Sequence, residues 1–348
     1  MNKIRILFLT DFFMTVTSFI VLILSITTAI SGTSRPESGS YVSLIGLILP
    51  AIVFSSLVLT IYWSIRKSFI VLIPLLALSL NYNSILSNIQ FRSDKSDLLP
   101  DKKLSVNIAS YNIHEFKHIN DQTSVSQVSE FVRSGNLSVI CFQEYKVPYF
   151  INSSELIGSF DFLPYNYIKE PDKNEIGMAI FSRYPIIRAR KVNFEDTGNG
   201  LIWADIKIDS ERVIRVINNH LQTTNYIKNL NADVTRKIEF LQKNSIIRAH
   251  QADVVRAIID TTTIPVIVCG DFNDIPTSYT FSTIKGENMT DGFREAGSWF
   301  GGTFRGMGGL LRIDYILHSK EFKSIKYSNP SIDLSDHRPV ISELVFRY

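Results

Sequence analysis

An α/β domain carried behind N-terminal transmembrane helices is the architecture this sequence predicts. Three observations lead there. The opening quarter of the chain holds three long apolar stretches. From residue 104 onward, short strand-like runs are separated by segments of helical period. Several of those runs stop at an Asn, Asp, Glu or His, which puts polar side chains where strands meet loops. The expected division is a membrane anchor over residues 1–89, a linker over 90–103 and one folded domain over 104–348.

The apolar stretches cover residues 6–30, 41–63 and 69–86. A helix needs roughly 20 apolar residues to cross a hydrocarbon core of about 30 Å, and the first two stretches have them. The third is shorter and meets its limit at Asn81-Tyr82-Asn83. The first is too long for a signal peptide and is followed by two more apolar runs with no clear cleavage site. Lys3, Arg5, Arg66 and Lys67 flank one side of the set, while residues 31–40 offer only Arg35 with Glu37. The positive-inside bias therefore places the N-terminus and the 64–68 loop in the cytoplasm. Three crossings put everything after Asn88 outside the cytoplasm, periplasmic or at the cell surface; two would keep it inside. Three is the expectation. Residues 91–103 are polar and charged, contain Pro100, and read as the linker.

Those anchor charges, set against Asp11 and Glu37, account for the whole net charge of +3. The larger domain is neutral, so the basic balance is no nucleic-acid footprint of that domain. Cys141 and Cys269 sit inside apolar runs and read as small buried residues of neighbouring strands, not as a disulfide framework.

Residues 104–113 alternate and end near Asn112 and His114, as a strand does. Residues 124–133 read as a helix. The run 137–143 is apolar on both faces and stops at Glu144, a carboxylate that is costly to bury unless it is paired or on a metal; Lys146 is the obvious partner for a simple ion pair. Residues 175–186 form another strand entering a turn at Pro185. Residues 201–208 and 213–219 look like a hairpin pair, the second ending in Asn218-Asn219-His220. Residues 232–260 have helical spacing, as one long amphipathic helix or two. The run 264–270 follows, where Gly270 permits a bend that delivers Asp271 and Asn273 to the rim. Residues 292–309 are rich in glycine without a phosphate-loop signature and read as a mobile loop. Residues 312–317 place Asp314 inside an apolar strand, and Ser335-Asp336-His337-Arg338-Pro339 leads into the alternating run 340–346.

The polar residues at these ends are mostly oxygen donors. No Cys–His set at zinc spacing and no Gly-x-Ser-x-Gly elbow occurs. Hard cations such as Mg²⁺ or Mn²⁺ suit carboxylates and amides. A metal on a carboxylate stabilises phosphoryl charge and a leaving oxygen, while a histidine oriented by an aspartate manages the proton or the charge of the attacking water. Phosphoester hydrolysis needs these components.

The ordered set Tyr111-Asn112-Ile113, Gln143-Glu144, Asn219-His220-Leu221, Gly270-Asp271-Phe272-Asn273, Ile313-Asp314-Tyr315 and Ser335-Asp336-His337 resembles the endonuclease/exonuclease/phosphatase superfamily over residues 104–348. The resemblance implies a four-layer α/β/β/α sandwich of two packed mixed sheets. It implies Asn112 and Glu144 as metal ligands, with Asp336 beside the metal, and Mg²⁺ or Mn²⁺ as the ion. It implies Asp271 and Asn273 as the pair aligning water and phosphate, and His337 as general base or phosphate-binding imidazole. Asp314 would orient His337, and His220 would contact the phosphate. The expected function is a membrane-tethered, metal-dependent phosphodiesterase or nuclease. A phosphatase or phosphodiesterase on lipid headgroups, such as phosphoinositides or sphingomyelin, is the alternative. A third reading, an inactive membrane module, expects one of these positions to be lost, and every one is filled. The partners expected are the phosphoester and the bilayer, with no obligate protein partner.

Overall fold

The computed structural model describes residues 3–37, 40–91, 104–117, 125–149, 151–173, 175–195, 197–224 and 233–347. Nearly all of the expected linker lies outside the described residues.

Four helices open the chain: α1 (Lys3–Ser31), α2 (Leu49–Ile65), α3 (Leu72–Leu80) and α4 (Tyr82–Leu86). Residues 5–31 and 42–65 are helical, apolar and long enough to cross a membrane, while the apolar helix at 69–80 is shorter. Val21, Ile52, Leu59, Trp63 and Ala77 pack inside this bundle. Phe8, Phe12, Phe13, Phe54, Ile61 and Leu72 face outward. α2 runs antiparallel to α1, because Tyr62 and Arg66 at its far end bond to Asp11 and the Trp63 indole donates to Ser18 Oγ at 3.0 Å. α3 then returns. Ser25 Oγ donates to Ala77 O at 2.7 Å, and Asn81 Nδ2 donates to Ser25 O at 3.1 Å. The third stretch thus leaves the bundle near the end from which α1 left it.

Two six-stranded mixed sheets follow, packed face to face. Strands β1 (Ile89–Gln90) and β11 (Trp299–Phe300) form a separate small pair. One sheet is built of β13 (Phe322–Ser328), β14 (Val340–Phe346), β2 (Ser105–Asn112), β3 (Val139–Gln143), β5 (Met178–Ser182) and β4 (Tyr165–Lys169), in that order. The other runs β10 (Met289–Asp291), β12 (Asp314–Ser319), β9 (Val266–Asp271), β8 (Val213–His220), β7 (Gly200–Lys207) and β6 (Ile186–Asn193). The parallel pairs are β2–β3 and β8–β9. Each needs a crossover, and a helix supplies it: α5 (Val125–Ser134) and α7 (Val234–Asp260).

Strand alternation sorts the core into three layers. Val106, Ile108, Cys141, Ile180, Val216, Ile267, Cys269 and Leu344 fill the space between the sheets. Tyr111, Ile140 and Phe142 on one outer face pack against Val128 and Val132 of α5 and Leu156 of α6 (Ser153–Gly158). Trp203, Ile217 and Val268 on the other pack against Ala252 and Val255 of α7 and Phe281 of α8 (Tyr279–Lys285). This is the α/β/β/α sandwich expected. Cys141 and Cys269 are free and buried, but they belong to different sheets and face each other across the core.

Several expectations are corrected. Ile186 opens β6 in the opposite sheet and does not close the strand before it. Of the two alternatives for the helical run ending at residue 260, the single helix holds, as Val234–Asp260. Residues 292–309, expected as a mobile loop, contain α9 (Gly292–Ala296), β11 and a 3-10 turn at Gly306–Gly309. Gly270 makes no bend: β9 continues through it, and a Cβ there would meet Asn219 O at 2.2 Å. Glycine is needed for the close approach and for φ +145°.

The bundle docks on the sandwich. Arg35 pairs with Asp253 at 2.6 Å, Gln242 Nε2 donates to Glu37 O at 2.7 Å, and Ser31 Oγ donates to Thr277 O at 3.1 Å. Buried Arg312, ion-paired with Asp291 at 2.5 Å, donates to Ser87 O.

Candidate active site

Strand register brings the polar ends together at one edge of the sandwich. Asn112 sits opposite Gln143, whose successor is Glu144, and His220 sits opposite Asp271. Antiparallel β12 begins with Asp314 opposite Asp271. Antiparallel β14 enters at Val340 opposite Ser110, leaving His337 just outside the sheet. Glu144, His220, Asp271, Asn273, Asp336 and His337 line a cleft of about 830 Å³. Glu144 and Asn273 hold positive φ angles of 52° and 51°, a conformation that persists only where surroundings impose it.

His337 Nδ1 lies 2.9 Å from Asp314 Oδ2, and its Nε2 lies 3.7 Å from Asp271 Oδ2. Burial disfavours the charged ring, yet Asp314 and Asp271 outweigh it and hold His337 up at about 10. Asp271 Oδ1 accepts the Asn273 N–H at 2.8 Å. Burial and the neighbouring Asp314 push the Asp271 carboxyl up to about 6.

Glu144 pairs with His220 Nε2 at 3.5 Å and not with Lys146, which goes to Glu115. Although burial would raise it, His220 and Asn112 hold the Glu144 carboxyl at about 2. Asp336 is half exposed at the rim and pairs with His114 Nδ1 at 3.3 Å. Asn112 donates through Nδ2 to Glu144 and Asp271, each at 3.1 Å, while its oxygen accepts the His114 N–H. Its amide nitrogen therefore faces the carboxylates, and an amide rotation is needed to present its oxygen to a cation. Asn219 turns away, donating to Cys269 O at 3.1 Å.

Four side chains escaped sequence reasoning as site residues. His114 was visible two positions beyond Asn112 but had no assigned part. Phe304 packs its ring 5.1 Å from the His337 imidazole. Thr303 Oγ1 accepts the N–H groups of Ile313 and Asp314 at 3.0 and 3.1 Å, fixing the start of β12. Asn199 Oδ1 lies 2.9 Å from His220 Nδ1.

The polarity of that last contact is set from a distance. The Phe240 carbonyl only accepts, so Asn244 donates to it at 2.8 Å. Asn244 Oδ1 then accepts from Gln222 Nε2 at 3.0 Å, and Gln222 Oε1 from Asn199 Nδ2 at 2.8 Å. Asn199 is left with an oxygen toward the imidazole, so His220 Nδ1 carries a proton and Nε2 faces Glu144 and Asp271.

The donor set suits a hard dication. Asp271, Asp314 and His337 present ligand atoms within 4.8 Å of one another. Buried Asp314 Oδ1 and His220 Nε2 have no hydrogen-bond partner among the described residues.

A two-sheet sandwich with acids and histidines gathered at one edge belongs to the phosphoester hydrolases. The model of the endonuclease/exonuclease/phosphatase family matches residues 109–337, and the chain belongs to that family. A second family model, described as a domain of unknown function, matches residues 10–88. Among curated proteins, none matches this sequence. The fold is similar to a solved endonuclease/exonuclease/phosphatase family protein of Bacteroides thetaiotaomicron, at TM-score 0.56 and 18% identity over 71% of this chain and 100% of that one. It is similar to a mannosyl-6-phosphatase of the same organism, at TM-score 0.54 and 18% identity over 69% and 100%. The human Nocturnin catalytic domain with bound sulfate gives TM-score 0.54 and 16% identity over 73% and 100%.

Proposed function

We propose that this chain is a membrane-tethered, divalent-metal-dependent phosphoester hydrolase, with residues 1–89 as anchor and 104–348 as catalytic domain. The observation that carries the reading is the Asp314–His337 pair beside Asp271, next to a cleft that also holds Glu144 and His220. Glu144 and Asp336, with Asn112 once its amide rotates, would hold Mg²⁺ or Mn²⁺. When bound, the ion supplies charge stabilisation for the phosphoryl oxygens and the leaving oxygen.

Protonated His337 serves as a phosphate-binding imidazolium, because Asp314 at 2.9 Å and Asp271 at 3.7 Å favour the charged ring. Asp271, near 6, is the better match for accepting a proton from the attacking water. Asn273 aligns that water, and His220 Nε2 faces the phosphoryl group from the Glu144 side.

The bundle supports one reading of sidedness. Arg5, Arg66 and Lys67 sit at the end away from the sandwich, whereas Ser31, Ser87 and Asn88 sit at the end that meets it. Taken with the positive-inside bias, this favours three crossings and an extracytoplasmic domain.

The test is turnover of bis-p-nitrophenyl phosphate and p-nitrophenyl phosphate by the purified full chain in nanodiscs with Mg²⁺ or Mn²⁺. Chelation should abolish turnover, and His337→Ala should lower it by roughly 10²–10⁴-fold. Loss below about tenfold removes His337 from the chemistry.

A further inference from the structure

The cleft lining is mixed. Ile275, Phe304, Leu311 and Ile313 are apolar, while His114, Lys146, Asp172 and Lys173 are charged or titratable. Part of the apolar lining is joined to the bundle. Ile275 lines both the cleft and the crevice where Leu44 and Leu47 meet α7. Gly301 N donates to Asn88 O at 2.9 Å, and Arg312 donates to Ser87 O, so both flanks of the Phe304–Leu311 segment are tied to the end of the last anchor helix.

At the same level stands β11. Its residues Trp299 and Phe300 pair with Gln90 and Ile89, only a few positions beyond the end of α4. Trp299 is 75% exposed and holds φ +56°, a backbone conformation that bulky residues rarely adopt. Phe300 and Leu310 are exposed beside it, and Phe91 is 78% exposed at the end of β1. An exposed Trp ring leaves its large apolar surface in water. At the boundary of a bilayer its ring sits where Trp and Tyr collect, apolar body inward and indole N–H toward the headgroups.

We propose that Trp299, Phe300 and Leu310 seat in the headgroup layer on the side the domain occupies, so that the cleft opens at the bilayer surface and its substrate is a phosphoester carried by a membrane lipid. This rests on the phosphoester hydrolase reading and names its substrate class. The mixed lining suits such a molecule, with apolar Ile275, Phe304 and Leu311 for the portion that bears the chains and polar His114 and Lys173 for the headgroup. A nucleic-acid backbone calls for cationic groups along its whole track, and this domain is neutral overall.

The test uses the full chain in proteoliposomes with Mg²⁺ or Mn²⁺. Substrates are phosphatidic acid, phosphatidylinositol phosphate and sphingomyelin in the bilayer, with bis-p-nitrophenyl phosphate and a single-stranded oligonucleotide in solution. The wild type should turn over at least one bilayer phosphoester. The double change Trp299→Ser with Leu310→Ser should lower that rate by about tenfold or more, since interfacial seating scales with buried apolar area. Turnover of the soluble ester should stay within about twofold, which also shows that the variant folds. Brominated lipids should quench wild-type tryptophan fluorescence more than that of Trp299→Phe. The proposal is overturned if only soluble esters or the oligonucleotide are hydrolysed, if the double change slows bilayer and soluble substrates equally, or if Trp299→Phe leaves quenching unchanged. If no phosphoester is turned over, the hydrolase reading fails with the substrate class, and the quenching alone decides whether the seat exists.

Discussion

His337 Nδ1 and Asp314 Oδ2 lie 2.9 Å apart with both side chains almost fully removed from solvent. A charged imidazole in so dry a place exists chiefly because that carboxylate faces it, with Asp271 adding to the effect. Replacing Asp314 by Asn keeps the shape and removes the charge, so the ring loses its reason to stay protonated. Asp314→Asn should lower kcat by roughly 10²–10⁴-fold. KM for bis-p-nitrophenyl phosphate should change much less, because the loss falls on charge developing in the transition state. Steady-state kinetics on a folded variant checks it. A loss confined to KM would place Asp314 in substrate binding.

The pH dependence of kcat/KM should be bell-shaped with widely spaced limbs. Asp271 must be ionised to accept a proton, so the rate rises with pH through about 6, or lower with a cation beside it. His337 must stay protonated, so the rate falls as pH passes about 10. A limb climbing through pH 6.5–7 and followed by no alkaline fall would instead mark a histidine acting as base. Stability carries the same sign for His337. Its folded value lies above its unfolded one, so its contribution is whole below about 6.5 and fades as pH rises through 10.

Asp271 behaves in the opposite sense without metal. A carboxyl raised to about 6 in the folded chain costs stability as pH rises above the unfolded carboxylate value, and the cost is complete above about 6. In chelator, Asp271→Asn should therefore melt at a higher temperature than wild type at pH 8, with the gain shrinking through pH 5 and vanishing near pH 3. The same change should abolish turnover, a trade of activity for stability. Added Mn²⁺ should raise the melting temperature of wild type and do so far less for Glu144→Gln, by mass action on a folded-state site. Equal Mn²⁺ shifts in the two would remove Glu144 from the metal set.

Much of this edge was legible because burial makes strand ends conspicuous. Glu144 after Val139–Gln143 and Asp271 after Val266–Gly270 stand out because an apolar run has no other reason to stop at an acid. The His337–Asp314 pairing was readable only through resemblance, since 23 residues separate the two. β6 was hidden because its outer face is solvated, with Arg188, Arg190 and Lys191 interrupting the alternation. β11 is too short to show any period. The direction of the Asn112 amide is set by the His114 N–H and two acids, and residue identity does not encode it. Asn199 stands between Gly198 and Gly200, a setting that marks no site. Only the register of β7 against β8, with Gly200 opposite His220, brings it to the imidazole.

Asn199 makes the sharpest test of how His220 is held. Its oxygen faces Nδ1 because a chain of amides through Gln222 and Asn244 ends on the Phe240 carbonyl, which cannot donate. Asn199→Leu removes the acceptor and frees the ring to rotate or change tautomer. Loss of such an orienting partner typically costs 10–100-fold in activity, and about that fall in kcat is expected here. Asn199→Asp still only accepts, so it preserves the tautomer while breaking the link to Gln222, and it should recover most of the lost rate. A purely structural role would make the two variants equally poor, or rank the charged one lower because it buries a carboxylate. Measuring kcat for both, beside their melting temperatures, separates the cases: rate recovered in Asn199→Asp without recovered stability identifies the hydrogen bond to Nδ1 as what the site requires.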